Sequence, residues 1–132
     1  MIVVDASVLA PALADAGPDG DLARARLRGE RLCAPSLVDL EAVSVLRRAV
    51  STGRLDERRS AQALADLARL PLERVGHIAL LDRIWELREN VTVYDGAYIA
   101  LAELTGATLL TADARLARSP ETRCEIEVLS LP

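Results

Sequence analysis

Apolar positions along the chain fall into two patterns. Short runs rich in Val, Ile and Leu alternate with longer stretches of helical spacing. Residues 1–6, MIVVDA, read as a buried parallel strand with Asp5 at its carboxyl end. Ser7 is placed to cap a helix over 8–15, with Pro11 in its first turn. Gly17, Pro18 and Gly20 break the chain. Asp19 or Asp21 starts a second helix through DLARARLR that stops near Gly29. Residues 31–34, RLCA, form a second strand. Ser36 then caps a long helix, 37–52, with Leu37, Leu40, Val43 or Ser44, Leu46 and Val50 on its apolar side, ended by Gly53. Asp56 starts a helix through Leu70 whose buried face is read as Ala61, Leu64, Ala65 and Ala68.

Residues 72–75, LERV, read as a short third strand. A helix from about His77 to Glu89 turns Ile78, Leu81, Ile84 and Trp85 inward, and another covers 94–105 up to Gly106. ATLLT, 107–111, is a clear strand that runs into Ala112–Asp113. The short helix ARLAR follows, and IEVLSL closes the chain as a last strand. Strands separated by helices imply an α/β fold, a three-layer α/β/α arrangement around a parallel sheet of four to five strands. No repeat, linker or low-complexity tail divides residues 1–132, so one domain is expected.

Composition narrows the chemistry. Aromatics make up 2% of the chain and there is no Phe, while 22 Ala and 23 Leu build a third of it. The core is therefore aliphatic. All 16 basic residues are arginine, which removes Schiff-base chemistry, lysine-dependent phosphate loops and Ser–Lys catalysis. The single histidine, His77, excludes a two-histidine ribonuclease and a polyhistidine metal site. Cys33 and Cys124 form no C-x-x-C pair, and no G-x-S-x-G turn presents a serine nucleophile. A net charge of −4 leaves no bulk basic field for nucleic acid. The start carries no signal-peptide pattern and no apolar run is long enough to span a membrane, so a cytoplasmic protein is expected.

Four carboxylates stand at informative places. Asp5 ends the first strand and Asp113 follows the ATLLT strand, so in a parallel sheet both arrive at one edge, where the functional crevice of such sheets lies. Asp95 sits in the first turn of its helix and Glu41 on the long helix. Taken singly, Asp95 reads as a helix-dipole carboxylate, Asp113 as a cap and Glu41 as a solvated residue. Together they would repel and raise each other's pKa, and a hard divalent cation resolves that. Oxygen-only ligation favours Mg²⁺ or Mn²⁺ over zinc. A metal polarising a phosphoryl oxygen and activating water needs no histidine, lysine or cysteine, which suits phosphodiester hydrolysis by this chain.

The runs IVVDASVL, PSLVDLEAVSVLRR and YDGAYIALAELTGATLLTAD, with the following ARLA, resemble the PIN domain, and within it the VapC toxins of VapBC toxin–antitoxin pairs. The resemblance covers essentially the whole chain, in order. It implies a Mg²⁺-dependent endoribonuclease that is toxic through RNA cleavage, silenced by a cognate VapB-type antitoxin and usually a homodimer. The implied strand order is 3-2-1-4-5. The family's acidic quartet falls on Asp5, Glu41, Asp95 and Asp113, its small hydroxyl on Ser7 and its motif threonine on Thr111. The resemblance further implies that Asp5, Asp95, Asp113 and Glu41 hold the metal, and that an antitoxin arginine plugs the acidic cluster.

Two departures stand out. Ser44 occupies the place where many relatives carry asparagine, and the net charge is acidic for an RNA binder. Arg24, Arg26, Arg28, Arg47 and Arg48 are the candidates for a local basic rim. The alternatives are a catalytically silent PIN-like binding module, or a PIN nuclease outside a toxin–antitoxin pair. Phosphatase and receiver domains of similar architecture fail on residues: no Asp-x-Asp follows the first strand, and no lysine exists. Cys33 reads as a buried thiol and Cys124 as a free one near the surface. His77 starts a helix, Trp85 belongs to core or interface, and Glu125 and Glu127 mark an exposed edge.

Overall fold

The computed structural model describes residues 1–131. Five parallel strands form its centre: β1 (Ile2–Val4), β2 (Leu32–Pro35), β3 (Leu72–Val75), β4 (Thr108–Thr111) and β5 (Ile126–Val128). Their order is β3-β2-β1-β4-β5, as the resemblance implies. The six helices are α1 (Ala6–Ala14), α2 (Pro18–Leu27), α3 (Leu37–Ser51), α4 (Glu57–Arg69), α5 (Leu81–Glu86) and α6 (Val93–Thr105). They sandwich the sheet, with α6 lying across β1, β2 and β4. The three residues of β1 are all buried, as are Leu109 and Leu110 of β4, so the middle of the sheet is apolar on both faces. Among the described residues no helix is long and apolar enough to cross a membrane.

The short strand at 72–75 pairs with β2 from Leu32↔Leu72 to Pro35↔Val75. Arg74 ties it down, donating to the carbonyls of Leu67, Leu70 and Leu72 and pairing with Asp39 at 3.0 Å. Asp56 caps α4 by accepting the Arg59 N–H at 2.8 Å. Gly106 ends α6 with φ 71°, a left-handed cap that glycine adopts without strain. Gly20 is required for another reason: a Cβ there would meet the Asp15 carbonyl oxygen at 1.8 Å, so only glycine lets α2 close onto the end of α1.

Helix faces differ from the sequence reading in three places. α3 buries Val38, Ala42 and Leu46, leaving Leu40 76% exposed and Val43 exposed. Both phases of this helix are apolar, and contact with the sheet selects one. α4 buries Ala63 and Leu67, while Ala61, Leu64 and Ala68 are exposed. In the 77–89 segment the inward set is Leu80, Ile84 and Leu87; Ile78, Leu81 and Trp85 are exposed. That segment opens with a 3₁₀ turn, Ile78–Leu80, and three residues per turn shift the phase of everything after it. ARLAR is likewise only a 3₁₀ turn, Leu116–Arg118. Helix α1 starts at Ala6 with Asp5 as N-cap residue, so Ser7 is not its cap and Pro11 falls in the second turn.

Candidate active site

The strand order reverses between β1 and β4, which are neighbours although distant in sequence. Their register sets Val4 beside Leu110, and the Asp5 N–H donates to the Leu110 carbonyl at 3.0 Å. Asp5 therefore stands opposite Thr111, at the carboxyl ends of both strands, in the crevice where such sheets bind ligands.

Thr111 is fully buried, and a buried hydroxyl must be satisfied. It donates to Asp5 Oδ2 at 2.7 Å and accepts the Asp113 N–H at 3.1 Å. Ser7 donates to the same Asp5 oxygen at 2.9 Å and accepts the Ala112 N–H at 2.9 Å. Two hydroxyl protons converge on Oδ2 and two backbone donors close the loop. This network fixes the Asp5 carboxylate and locks the start of the Asp113 turn to β1. Asp5 Oδ1 has no hydrogen bond within it. The serine that the sequence suggests as a helix cap is thus spent on orienting Asp5.

Asp95 reaches the crevice from the other side. Thr92 caps α6 and accepts the Asp95 N–H at 3.1 Å, which sets the carboxylate in the first turn of a helix packed on β1 and β4. Glu41 comes from α3. Its Oε1 accepts the Tyr98 hydroxyl at 2.6 Å, and Tyr98 is 1% exposed. Tyr98 lies three residues beyond Asp95, so one helix carries one acid and positions another. The sequence reading missed this tyrosine. Its signal was a polar-tipped aromatic inside an otherwise alanine- and leucine-rich helix face.

All four carboxylates are half-buried. Burial pushes Glu41 above the ordinary carboxylate range, and Asp5 and Asp95 add to this against the Tyr98 hydrogen bond. Burial also raises Asp95, with Asp5 and Asp113 contributing and Thr92 opposing. Asp113 moves the other way, because the Arg115 guanidinium holds it below the usual range. Arg115 donates Nε to Oδ1 at 3.1 Å and Nη2 to Oδ2 at 2.8 Å, and its own N–H reaches Oδ1 at 2.9 Å. As the side chains stand, no group of three His, Cys, Asp or Glu among the described residues encloses a metal position. Glu41 is hydrogen-bonded to Tyr98 and Asp113 to Arg115. The donor set still suits a hard cation. It is all carboxylate oxygen, and burial, with neighbouring carboxylates adding to it, makes Glu41 and Asp95 hold their protons more tightly than free acids do.

A sign follows for stability. Glu41 and Asp95 bind protons more strongly folded than unfolded, so their protonation favours the folded state and this contribution is lost as pH rises through their raised pKa values. Metal-free protein is expected to gain thermal stability as the pH is lowered from 7 toward 5. Further acidification reverses the gain, since Asp113, Glu103 and Glu127 are held low and lose stabilising charge on protonation. Melting curves across this range, with and without Mg²⁺, check it; Mg²⁺ should abolish the advantage of pH 5.

The suggested basic rim is mostly occupied elsewhere. Arg24 donates to the Ala12 and Asp15 carbonyls, and Arg26 pairs with Glu30 and Glu127. Glu127 is therefore no free edge charge. Arg28, Arg47, Arg48 and Ser44 are exposed. Arg115 pairs with Asp113, and Arg88 and Arg115 line a groove of about 510 Å³ together with Asn90, Thr92, Asp95 and Asp113. Cys33 is buried and Cys124 partly so.

A PIN domain profile matches residues 2–121. The VapC ribonuclease Mb0985 of Mycobacterium bovis is 42% identical over 129 residues, 98% of this chain and 98% of that protein. The crystal structure of Mycobacterium tuberculosis VapC20, titled as a sarcin–ricin loop cleaving toxin, superposes with TM-score 0.70 at 16% identity, over 89% of this chain and 94% of that one. The VapBC2 structure from Rickettsia felis, bound to a promoter DNA fragment, gives 0.66 at 18% identity over 97% and 98%. The fold, the family profile and the full-length similarity agree: the chain belongs to the PIN-domain family, among the VapC ribonucleases.

Proposed function

We propose that this ribonuclease is a Mg²⁺-dependent endoribonuclease and the toxin of a VapBC pair, with Mn²⁺ able to replace Mg²⁺. The observation that supports the reading is that Asp5 and Asp113 follow the carboxyl ends of β1 and β4, with Asp95 near enough to feel both charges and Glu41 near enough to feel Asp5 and Asp95. Asp5, Asp95 and Asp113 would hold the metal, and Glu41 would ligate directly or through water. When bound, the cation polarises the phosphoryl oxygen and lowers the pKa of its water. The chain does the rest. Ser7 and Thr111 keep Asp5 Oδ2 engaged, which leaves Oδ1 for ligation. Tyr98 positions Glu41, whose carboxylate, made more basic by burial, would suit a group that accepts a proton from water.

Tyr98→Phe removes only the hydroxyl. Cleavage and Mn²⁺ affinity are both expected to fall about tenfold, the low end for a group orienting a metal ligand. Rates and calorimetric titration of the folded variant check this.

The partners follow the same reading: an RNA substrate, a cognate VapB-type antitoxin that covers the crevice, and a second copy of the chain in the cytoplasm. Ile78, Leu81, Trp85, Val93 and Tyr94 are exposed apolar side chains that such a dimer would have available to cover. The direct test is cleavage of a mixed RNA pool in Mg²⁺, in Mn²⁺ and in chelator. Cutting with either ion and none in chelator is expected. Undiminished cutting in chelator would overturn the metal reading.

A further inference from the structure

We propose that Arg115 is the phosphate-binding residue of this site, held on Asp113 until a divalent cation takes that carboxylate. The inference rests on the metal reading above and extends it. Three donors of one residue converge on Asp113: the guanidinium Nε and Nη2 and the backbone N–H. The fork they form on a carboxylate is the fork arginine forms on a phosphate. Nothing but the ion pair fixes the guanidinium, because the Arg115 side chain is 82% exposed. It lines the groove that runs past Asp95 and Asp113, with Arg88 at the same groove.

The charges define a cycle. Without metal, Arg115 is the cation that neutralises Asp113. Asp95 also feels Asp113, so this pairing relieves the crowding of the quartet. A divalent cation held by Asp113 would compete for the same oxygens and repel the guanidinium. Arg115 would then be released with its donors unsatisfied at the rim of that groove, free to take a phosphate of the RNA. In a chain of net charge −4, that local and conditional cation admits a polyanion only where the metal is already bound. Arg118 acts on Asp113 through charge alone, with no hydrogen bond to it, and so separates the ion pair from general electrostatics.

The test is a titration of metal-free protein with Mn²⁺, followed by the loss of the free-ion paramagnetic signal. Arg115→Ala is expected to bind Mn²⁺ about fivefold tighter, the upper range for an exposed ion pair. Arg118→Ala should shift it less than about twofold, since it breaks no contact with Asp113, and Arg115→Lys should fall between because it keeps the charge but loses the fork. At saturating Mn²⁺ the KM for RNA should rise about tenfold in Arg115→Ala with kcat little changed, the loss of one charge-assisted hydrogen bond. Equal Mn²⁺ affinity in wild type and Arg115→Ala, an equal effect of Arg118→Ala, or an unchanged KM would each overturn the proposal. Failure of the wild type to take up Mn²⁺ would overturn the metal reading itself, and this inference with it.

Discussion

Asp5→Asn is expected to fold normally and to lose RNA cleavage by at least about a hundredfold, beyond the loss that follows removal of a group behind a metal ligand. The substitution keeps the shape of the side chain and an oxygen that can accept from Ser7 and Thr111, so the network joining β1 to the Asp113 turn persists. It removes the charge that the proposed cation would need. It also removes the carboxylate that Glu41 and Asp95 both feel. The melting temperature should therefore hold or rise while activity falls, a combination that unfolding cannot produce. Asp95→Asn should behave alike. The double variant should lose little more than either single one if the two hold one ion as proposed, because such ligands act as a unit. Circular dichroism melting beside RNA cleavage separates the outcomes. A folded Asp5→Asn protein that cuts at the wild-type rate would sink the assignment of Asp5.

The same site explains what the sequence could carry. Asp5 and Asp113 were legible because a β-branched run ending on an acid has few other readings, and because a parallel sheet brings its carboxyl ends together. Strand positions followed from composition for the same reason: IVV and TLLT have no amphipathic alternative. Helix faces were less legible. In α3 two phases are both apolar, and in α4 the alanines mark no face, since a methyl group is tolerated inside or out. The 3₁₀ turn before α5 shifts the helical phase in a way that regular spacing cannot encode. Side-chain partnerships across the fold were the least legible. Tyr98 to Glu41 joins positions 57 apart and Ser7 to Ala112 joins positions 105 apart, and each depends on helices seated to within a hydrogen bond's length. Arg26 shows the converse. Read as a surface charge available to RNA, it is committed to Glu127 by two hydrogen bonds of 2.7 Å.

Glu103→Ala should cost about 3 kcal/mol of stability, the lower edge for stranding one member of a desolvated ion pair. Glu103 accepts Arg83 Nε at 2.7 Å and Nη2 at 3.2 Å, and the Arg123 N–H at 2.8 Å. The pair is little exposed, with 16% of the Arg83 side chain and 11% of the Glu103 side chain open to solvent. Burial by itself would raise Glu103, yet Arg83 and the Arg123 N–H hold it below the ordinary range. Arg83 also donates to the Glu121 carbonyl at 2.7 Å, so this carboxylate fastens α5, α6 and the loop before β5 at one point. In the variant Arg83 keeps Glu86 and that carbonyl, which is why the loss sits at the lower edge. For a domain of this size that is a fall in Tm of about 10 °C. Asp95 lies two turns away along α6, about 12 Å by helical rise, so kcat on RNA at 20 °C should be unchanged. Replacing both partners, Arg83→Met with Glu103→Leu, should recover most of the loss, since a well-packed apolar pair replaces a buried ion pair at little net cost. If the single variant melts like the wild type, the contact is only a surface salt bridge. If the double variant is as unstable as the single one, the loop before β5 depends on the carboxylate's bond to the Arg123 N–H rather than on the ion pair.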